Sequence, residues 1–525
     1  LFYRKHNKSM PRYFSIITVV LTLAFVSVFF GQIDGMASDP GLGWHLKTGA
    51  LIASNLEIPR VDPFLAPALE ANPFSAPTSG REWVCDQWLG DLILHQLFVF
   101  GGWPLLYSSV VGVFLLAFWG VTSDGLLRSG VTTLSVMIAG IMAWKAGQVH
   151  MIIRPVVFSV LFFAIVLRVV CSLEGMREWS TGGRWRPVLA LSCLFIVWAN
   201  IHPAFVLGLG VLGVYFVAEC FRSPRNFPAI KTSALIVVMS ALGTVVNPQG
   251  LMLHRSIFAL GVSDYFMSLN QEWHPLKLSS FEGILLIGLV VFALIGFVRA
   301  MWMRSASNGF GFLVSGLLFL LTVRSVRYAP FAALALLPVA ATGLHTLRDL
   351  SLPRCLSLTA RVIKVVQRWE VLRSPTALGV SGLLVASSAL ISVVAPHMLF
   401  ARALGPANAS SLVPVMQVLE SVRGRGGQGE GVVLTSPNLG GAITYRLWPR
   451  YRAVIDDRNT LIGEALYKGY FASLEDIAAF DLIVEVFGVT DAIMPPHAGV
   501  LNQLLLRPQW TILYRDEQSV VVHRE

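Results

Sequence analysis

Apolar runs of about 20 residues, the length that crosses the ~30 Å hydrocarbon layer of a bilayer, recur in this chain from Tyr13 almost to Pro396 and then stop. Inside lipid every backbone N–H and C=O must find its partner within the segment, so such runs fold as successive membrane-crossing helices. We place spans at 13–33, 103–122, 131–148, 155–172, 187–201, 204–220, 231–246, 283–299, 309–323, 329–347 and 376–395, about eleven in all. Charged residues make up 13% of the chain and hydrophobic ones 55%, whereas about a quarter of a soluble protein is charged. Mean hydropathy is +0.66. The chain thus reads as a polytopic α-helical membrane domain over 1–396, followed by a domain over 397–525 large enough to hold a core.

The net charge of +10 is not a nucleic-acid footprint, because of where the basic residues sit. Arg4, Lys5, Lys8 and Arg12 precede the first span; Arg177, Arg184 and Arg186 fill one short loop, Arg222, Arg225 and Lys231 another, and the stretch Arg348 to Arg373 a third. These loops alternate, which is the positive-inside pattern. It predicts a cytoplasmic amino terminus, a first span retained as an anchor, outer loops at 34–102 and 247–282, and an extracytoplasmic α/β domain at the carboxy end.

Soluble chemistries lose their usual anchors. The cysteines are Cys85, Cys171, Cys193, Cys220 and Cys355, with only Cys85 on the expected outer side; they build no disulfide framework, and there is no CxxC, HExxH or P-loop. Ionisable residues instead gather at the outer ends of the spans: Asp34, Asp39, His45, Lys47, Asp62, Asp86, Asp91, His150, Arg154, His202, Glu272, His274, Arg324 and Arg327. Charges near hydrocarbon depth are costly and mark a site or a pathway, so this gathering points to a reaction chamber open on that face.

The stretch "DPGLGWHLKTGALI" (Asp39 to Ile52) follows the first span directly. Asp39 before Pro40 has the form of a helix N-cap, and the leucines that follow have the spacing of a helix lying in the membrane interface. A second outer helix is expected over Trp83 to Phe98, with Asp86 and Asp91 as charges near its start. Asp39 therefore has two readings, a cap or a catalytic acid.

The ordered set "DPGLGWHLKTGALI", "IPRVDPF", "WVCDQWLGDLI", "IIRPVVFSVL", "WANIHPAFVLGL", "VNPQGLML", "NQEWHPL", "SVRYAPFAALALLP" and "AVIDDRNTL" resembles a bacterial group within the GT-C superfamily, polytopic glycosyltransferases that use polyprenyl-phosphate-linked donors. Members read roughly Asp-Pro-Asp-x-Trp-Trp-His-Leu-x-Thr-Gly in the first outer loop. Here Gly41 and Gly43 replace the second Asp and the first Trp, which weakens a paired-carboxylate or metal-ligating reading of the motif.

The resemblance implies a GT-C-like fold and transfer of a sugar from a polyprenyl-phosphate-linked donor to a lipid, glycan or protein acceptor, on the outer face of a bacterial inner membrane. Asp39 takes the place of the general base, with Glu272 as a second carboxylate from the other large loop or, equally, a solvated acid beside an interfacial Trp273 anchor. His45, Arg154, His202, Arg324 and Arg327 are the candidates for substrate and phosphate contacts, since arginine matches phosphate oxygens bidentately. Arg154 before Pro155 has the alternative of snorkelling at a span end, and His202 before Pro203 that of capping a broken helix. No cofactor or metal ligand set is assigned, and a divalent cation stays open. The rival functions are a transporter, for which no internal repeat is found, and a non-catalytic scaffold whose outer domain binds a partner.

In the carboxy-terminal domain, "GVVLTS", "RAVID" and "DAIMPP" read as strands and "WTILYRDEQSVVVHRE" as a hairpin, with helices over Leu461 to Phe471 and Leu474 to Phe487. "SPNLGGAI" is expected to be a tight turn. "IDDRN" (Ile455 to Asn459) reads equally as a salt-bridged structural pair or as a segment facing the membrane site.

Overall fold

The structure is a computed structural model and describes residues 39–123, 125–126, 130–174, 185–222, 224–261, 263–269, 271–302, 309–347, 412–424 and 431–525. The expected spans 13–33 and 376–395, the domain boundary at 396/397, Asp34, Cys355 and the basic stretches 4–12, 177–184 and 348–373 lie outside them.

Every other expected span contains a helix. After α1 (Leu42–Asn55) come α2 (Trp88–Leu115), α3 (Thr133–Gly147), α4 (Val156–Glu174), α5 (Trp185–Ile201), α6 (Phe205–Arg222) and α7 (Phe227–Gly243). Two short helices, α8 (Leu251–Gly261) and α9 (Asp264–Leu269), precede α10 (Phe281–Trp302), α11 (Gly309–Arg324) and α12 (Ala329–Leu347). Among the described residues, five helices are long and apolar enough to cross a membrane: Trp88–Thr122, Val156–Leu173, Phe205–Arg222, Phe281–Trp302 and Val326–Leu347. The chain is a multi-pass membrane protein, with α12 buried along most of its length against α3 and α10.

Two sequence expectations for the helices before the carboxy-terminal domain need correction. The second outer helix begins at Trp88 rather than Trp83 and continues toward the membrane, broken at Gly101 and Gly102, where Gly102 takes φ 60° and Pro104 follows. A glycine can adopt that angle, and the proline cannot donate into the preceding turn, so the break separates an upper helix from the span. The second correction concerns α1, which does not lie in a lipid interface. Leu42, Trp44, His45, Leu46, Thr48 and Ile52 are all buried, because α1 is sandwiched between α2 and a helix of the carboxy-terminal domain.

That domain opens with α13 (Leu412–Gly424) and β1 (Gly431–Leu434), followed by α14 (Pro437–Leu447), β2 (Tyr451–Ala453), α15 (Asn459–Ile462), α16 (Glu464–Ser473) and α17 (Ile477–Phe487). β3 (Asp491–Met494), α18 (Leu501–Leu504), β4 (Trp510–Arg515) and β5 (Val520–Arg524) complete it. The strands form one sheet in the order β2-β1-β3-β5-β4. β1 runs parallel to β2 and β3, and the β4/β5 hairpin is added antiparallel. "SPNLGGAI" is not a tight turn but the start of α14.

The domain does not keep its core to itself. Leu65, Ala66 and Ala68 from the loop between α1 and α2, and Phe266 from α9, are buried with Val433, Ile455 and Phe487. Leu65 pairs with Ala453 as a further strand position beside β2, and Trp448 donates to the Pro63 carbonyl at 3.0 Å. Arg458 closes this seam. It bridges Asp62 at 2.7 Å and Asp456 at 2.7 Å, and its guanidinium lies over the rings of Trp83, Trp44 and Phe64. The structural reading of "IDDRN" thus holds for Asp456 and Arg458.

Candidate active site

Asp39 is not the cap of α1. Gly41 occupies that position without a side-chain cap, and the Asp39 contribution is its backbone carbonyl, which accepts from the Leu42 amide at 3.2 Å. Its carboxyl is free to face Arg154, with Oδ1 3.4 Å from the guanidinium. Oδ2 is buried and accepts no hydrogen bond from the described residues. An isolated buried carboxylate is poorly solvated. Burial accordingly pushes Asp39 up to about 7; the nearby Arg154 pulls it down, and Asp457 and Glu272 push it further up.

Arg154, in the turn before α4, gathers acids from three distant segments. Besides Asp39 it meets Asp457 Oδ2 at 2.9 Å and Glu272 Oε1 at 3.7 Å. Burial opposes its charge, but the three carboxylates outweigh burial and hold the guanidinium more firmly protonated than usual. Burial also pushes Glu272 toward protonation, yet Arg154, His150 and Arg327 outweigh it and keep this carboxyl below its usual range. The second oxygen of Asp457 accepts from Trp44 Nε1 at 2.8 Å. Converging carboxylates would also suit a divalent cation, but here the guanidinium stands among them. Among the described residues no group of three or more His, Cys, Asp or Glu is arranged to hold a metal ion.

Two cavities meet at this cluster. One, of about 350 Å³, reaches toward the helices and is lined by His150, His202, Arg327 and Trp273, with Leu207 and Ile257 on its apolar wall. The other, of about 450 Å³, opens between Asp39 and the carboxy-terminal domain, against Ser436, Asn438, Tyr467, Tyr470 and Phe471. Arg154, Glu272, Asp457 and Asn459 line both.

Within the first cavity Arg327 lies over the Trp273 ring at 4.8 Å, and its carbonyl meets His150 Nε2 at 2.8 Å. His202 Nδ1 accepts from the Ala204 amide at 3.1 Å, which leaves Nε2 to carry the proton. Burial, together with Arg327 and Arg154, pushes His202 well below the usual histidine range, so it is a neutral donor. The expected helix-capping role of His202 and its place at the cavity are both observed. Asp86, read from sequence as a helix-start charge, precedes α2 and lines this cavity; burial raises its carboxyl to about 6.

The structure brings Asp39, Arg154, His202, Glu272 and Arg327 to the two cavities but not the other sequence candidates. His45 is fully buried, lines neither cavity, and hydrogen-bonds Asp91 at 2.5 Å. Burial first, then Arg154 and His202, hold His45 well below its usual range, so this contact is a hydrogen bond rather than an ion pair. It ties α1 to α2. Arg324 ends α11, exposed and away from both cavities. Sequence reasoning gave no role to Trp44 or the Tyr467, Tyr470 and Phe471 face, and left Asp457 and Asn459 undecided. The doubled acid of "IDDRN" was the available signal.

No family profile matches the sequence, and no curated protein matches it. Solved structures do match. The archaeal oligosaccharyltransferase AglB from Archaeoglobus fulgidus, in complex with an inhibitory peptide and a dolichol-phosphate, superposes with a TM-score of 0.58 at 11% identity, covering 91% of this chain and 69% of that one. ArnT from Cupriavidus metallidurans in the apo state superposes with a TM-score of 0.54 at 14% identity, covering 96% of this chain and 97% of that one. At such identities the likeness is one of fold, and the chain shares its fold with these two structures.

Proposed function

We propose that this chain transfers a sugar from a polyprenyl-phosphate-linked donor to an acceptor hydroxyl on the outer face of a bacterial cytoplasmic membrane. The observation that carries this reading is the meeting of the two cavities at Arg154, beside Asp39, one facing the helices and one facing the carboxy-terminal domain. The donor phosphate suits the first cavity, where Arg327, Arg154 and the His202 Nε2–H supply cationic and neutral donors and the apolar wall suits an isoprenoid chain. AglB, of the same fold, is a structure with dolichol-phosphate bound. The acceptor enters from the second cavity. Its hydroxyl oxygen attacks the anomeric carbon and its proton passes to Asp39; the bond from that carbon to the phosphate oxygen breaks, and the charge left on the polyprenyl phosphate is met by the arginines. A carboxyl held near 7 is matched to proton transfer at neutral pH.

A panel of polyprenyl-phosphate sugars added to the detergent-solubilised protein tests the donor. At least one member is expected to raise its thermal stability, and Arg327→Ala should weaken that effect by ~1.5–3 kcal/mol, the worth of a charged hydrogen bond. No shift from any member, with a shift from a soluble protein partner, would instead favour a scaffold.

Arg154 supplies the cation of the site in this reading. Arg154→Ala would leave Asp39, Asp457 and Glu272 around a vacated position, and that variant is expected to gain thermal stability from Mn²⁺ or Ca²⁺ while the wild-type protein does not. A metal-induced shift in the wild type would contradict the assignment.

A further inference from the structure

Gly41 stands where the motif that the loop resembles has an aspartate, and the structure shows what occupies the space. A Cβ built on Gly41 would lie 3.0 Å from Asp457 Oδ2, 3.1 Å from Trp44 Nε1 and 3.3 Å from an Arg154 nitrogen. A side chain at 41 would therefore enter the cluster at the point where the Asp457 carboxylate enters it from the other end of the chain. Gly41 has φ −79°, an angle open to any residue. What the glycine provides is room.

Close approach of the two backbones brings Asp457 there. A Cβ on Gly43 would fall 1.9 Å from the Gly441 carbonyl oxygen, and one on Gly441 would fall 2.0 Å from the Pro40 carbonyl oxygen. α1 and α14 thus touch backbone to backbone. β2 leads directly into Asp456, Asp457 and Arg458 beside them, and Arg458 is locked to Asp62.

We infer that Asp457 is a positioning residue of the membrane-domain site, a carboxylate lent by the carboxy-terminal domain to fix Arg154 beside Asp39 in the place a side chain at position 41 would otherwise fill. The inference rests on the transferase reading for its purpose, but not for its geometry. Asp457 holds Arg154 at 2.9 Å while Trp44 fixes its other oxygen at 2.8 Å, so the guanidinium is aimed by a carboxylate from the carboxy-terminal domain. The carboxy-terminal domain is in this account a part of the site rather than an appendage.

The test reads the site without needing any sugar. Infrared difference titration of the full-length protein in detergent, with Asp39→Asn as the subtraction reference, reports the midpoint of the Asp39 carboxyl. In the wild type that midpoint is expected at about 7. Asp457→Asn keeps the shape, and so the place of Arg154, but removes a negative charge that raises Asp39, so the midpoint should fall by on the order of one pH unit. Asp457→Ala also releases Arg154, whose charge lowers Asp39, so its midpoint should lie above that of Asp457→Asn. Moving the carboxylate, as Gly41→Asp combined with Asp457→Ala, should return it toward the wild-type value. An Asp457→Ala midpoint no higher than that of Asp457→Asn overturns the inference, and so does a folded double variant whose midpoint does not return toward the wild-type value. Neither result would bear on whether the protein transfers sugar, which the lipid panel decides.

Discussion

Asp39→Asn is expected to lower the rate of transfer by roughly 10²–10⁴-fold, the loss typical of a missing general base, while making the protein more stable at pH 8. The second effect follows from the sign of the shift. A carboxyl whose pKa rises from 3.8 to about 7 on folding binds its proton more tightly in the folded state. It therefore stabilises the fold below pH 4 and loses that contribution as pH climbs through 7. About three units at 1.36 kcal/mol each set an upper limit of ~4 kcal/mol for what is lost by pH 8. Asparagine carries no charge to desolvate, so the variant should unfold later than the wild type at pH 8 and no later at pH 4. Denaturation at the two pH values checks this. The wild-type rate should rise through pH 7 as Asp39 ionises. A stabilised variant with normal transfer would remove Asp39 from the chemistry and leave it a costly buried acid.

Arg458→Ala should have the largest structural effect. The side chain is 5% exposed, pairs with Asp62 and Asp456, and covers Trp83 at 4.7 Å, Trp44 at 5.3 Å and Phe64 at 5.6 Å. Its removal leaves two buried carboxylates without their cation, a change that costs about 3–5 kcal/mol. Because the bond to Asp62 joins the carboxy-terminal domain to the loop between α1 and α2, the expected result is faster proteolysis of that loop together with a lower melting temperature. Arg458→Lys should recover only part of the loss, since an ammonium cannot reach both acids in a fork or lie flat on the rings. Unchanged proteolysis and melting in the alanine variant would mean that the shared apolar core alone holds the seam.

The helical frame was legible because lipid imposes it. An apolar run with no water to bond has one local solution, and each expected span within the described residues contains a helix. The strands and the hairpin of the carboxy-terminal domain were legible from alternation and turn residues. Of the two readings of Asp39, the cap fails for a local reason: Gly41 starts the helix two residues on, and the carboxyl faces Arg154 instead. His45 looked like a site residue because it stands among the ionisable groups gathered at the outer ends of the spans, yet its partner Asp91 was already in view 46 positions away. Asp457 was the hardest to read. Its partners Arg154 and Trp44 lie 303 and 413 positions distant, and no periodicity links residues across such a gap. The glycines that admit it looked like losses in a motif, because a close approach of two backbones leaves no trace in either segment alone.

The central claim is that a lipid-linked sugar is consumed at the junction of the two cavities. The most direct measurement follows the lipid: mass spectrometry of proteoliposomes holding the full-length protein and a panel of polyprenyl-phosphate sugars, with acceptor glycans and peptides supplied on both sides. The account predicts that at least one sugar lipid is converted to free polyprenyl phosphate by the wild type and scarcely at all by Asp39→Asn. Equal conversion by the two proteins, or no conversion of any panel member by the wild type, would contradict it.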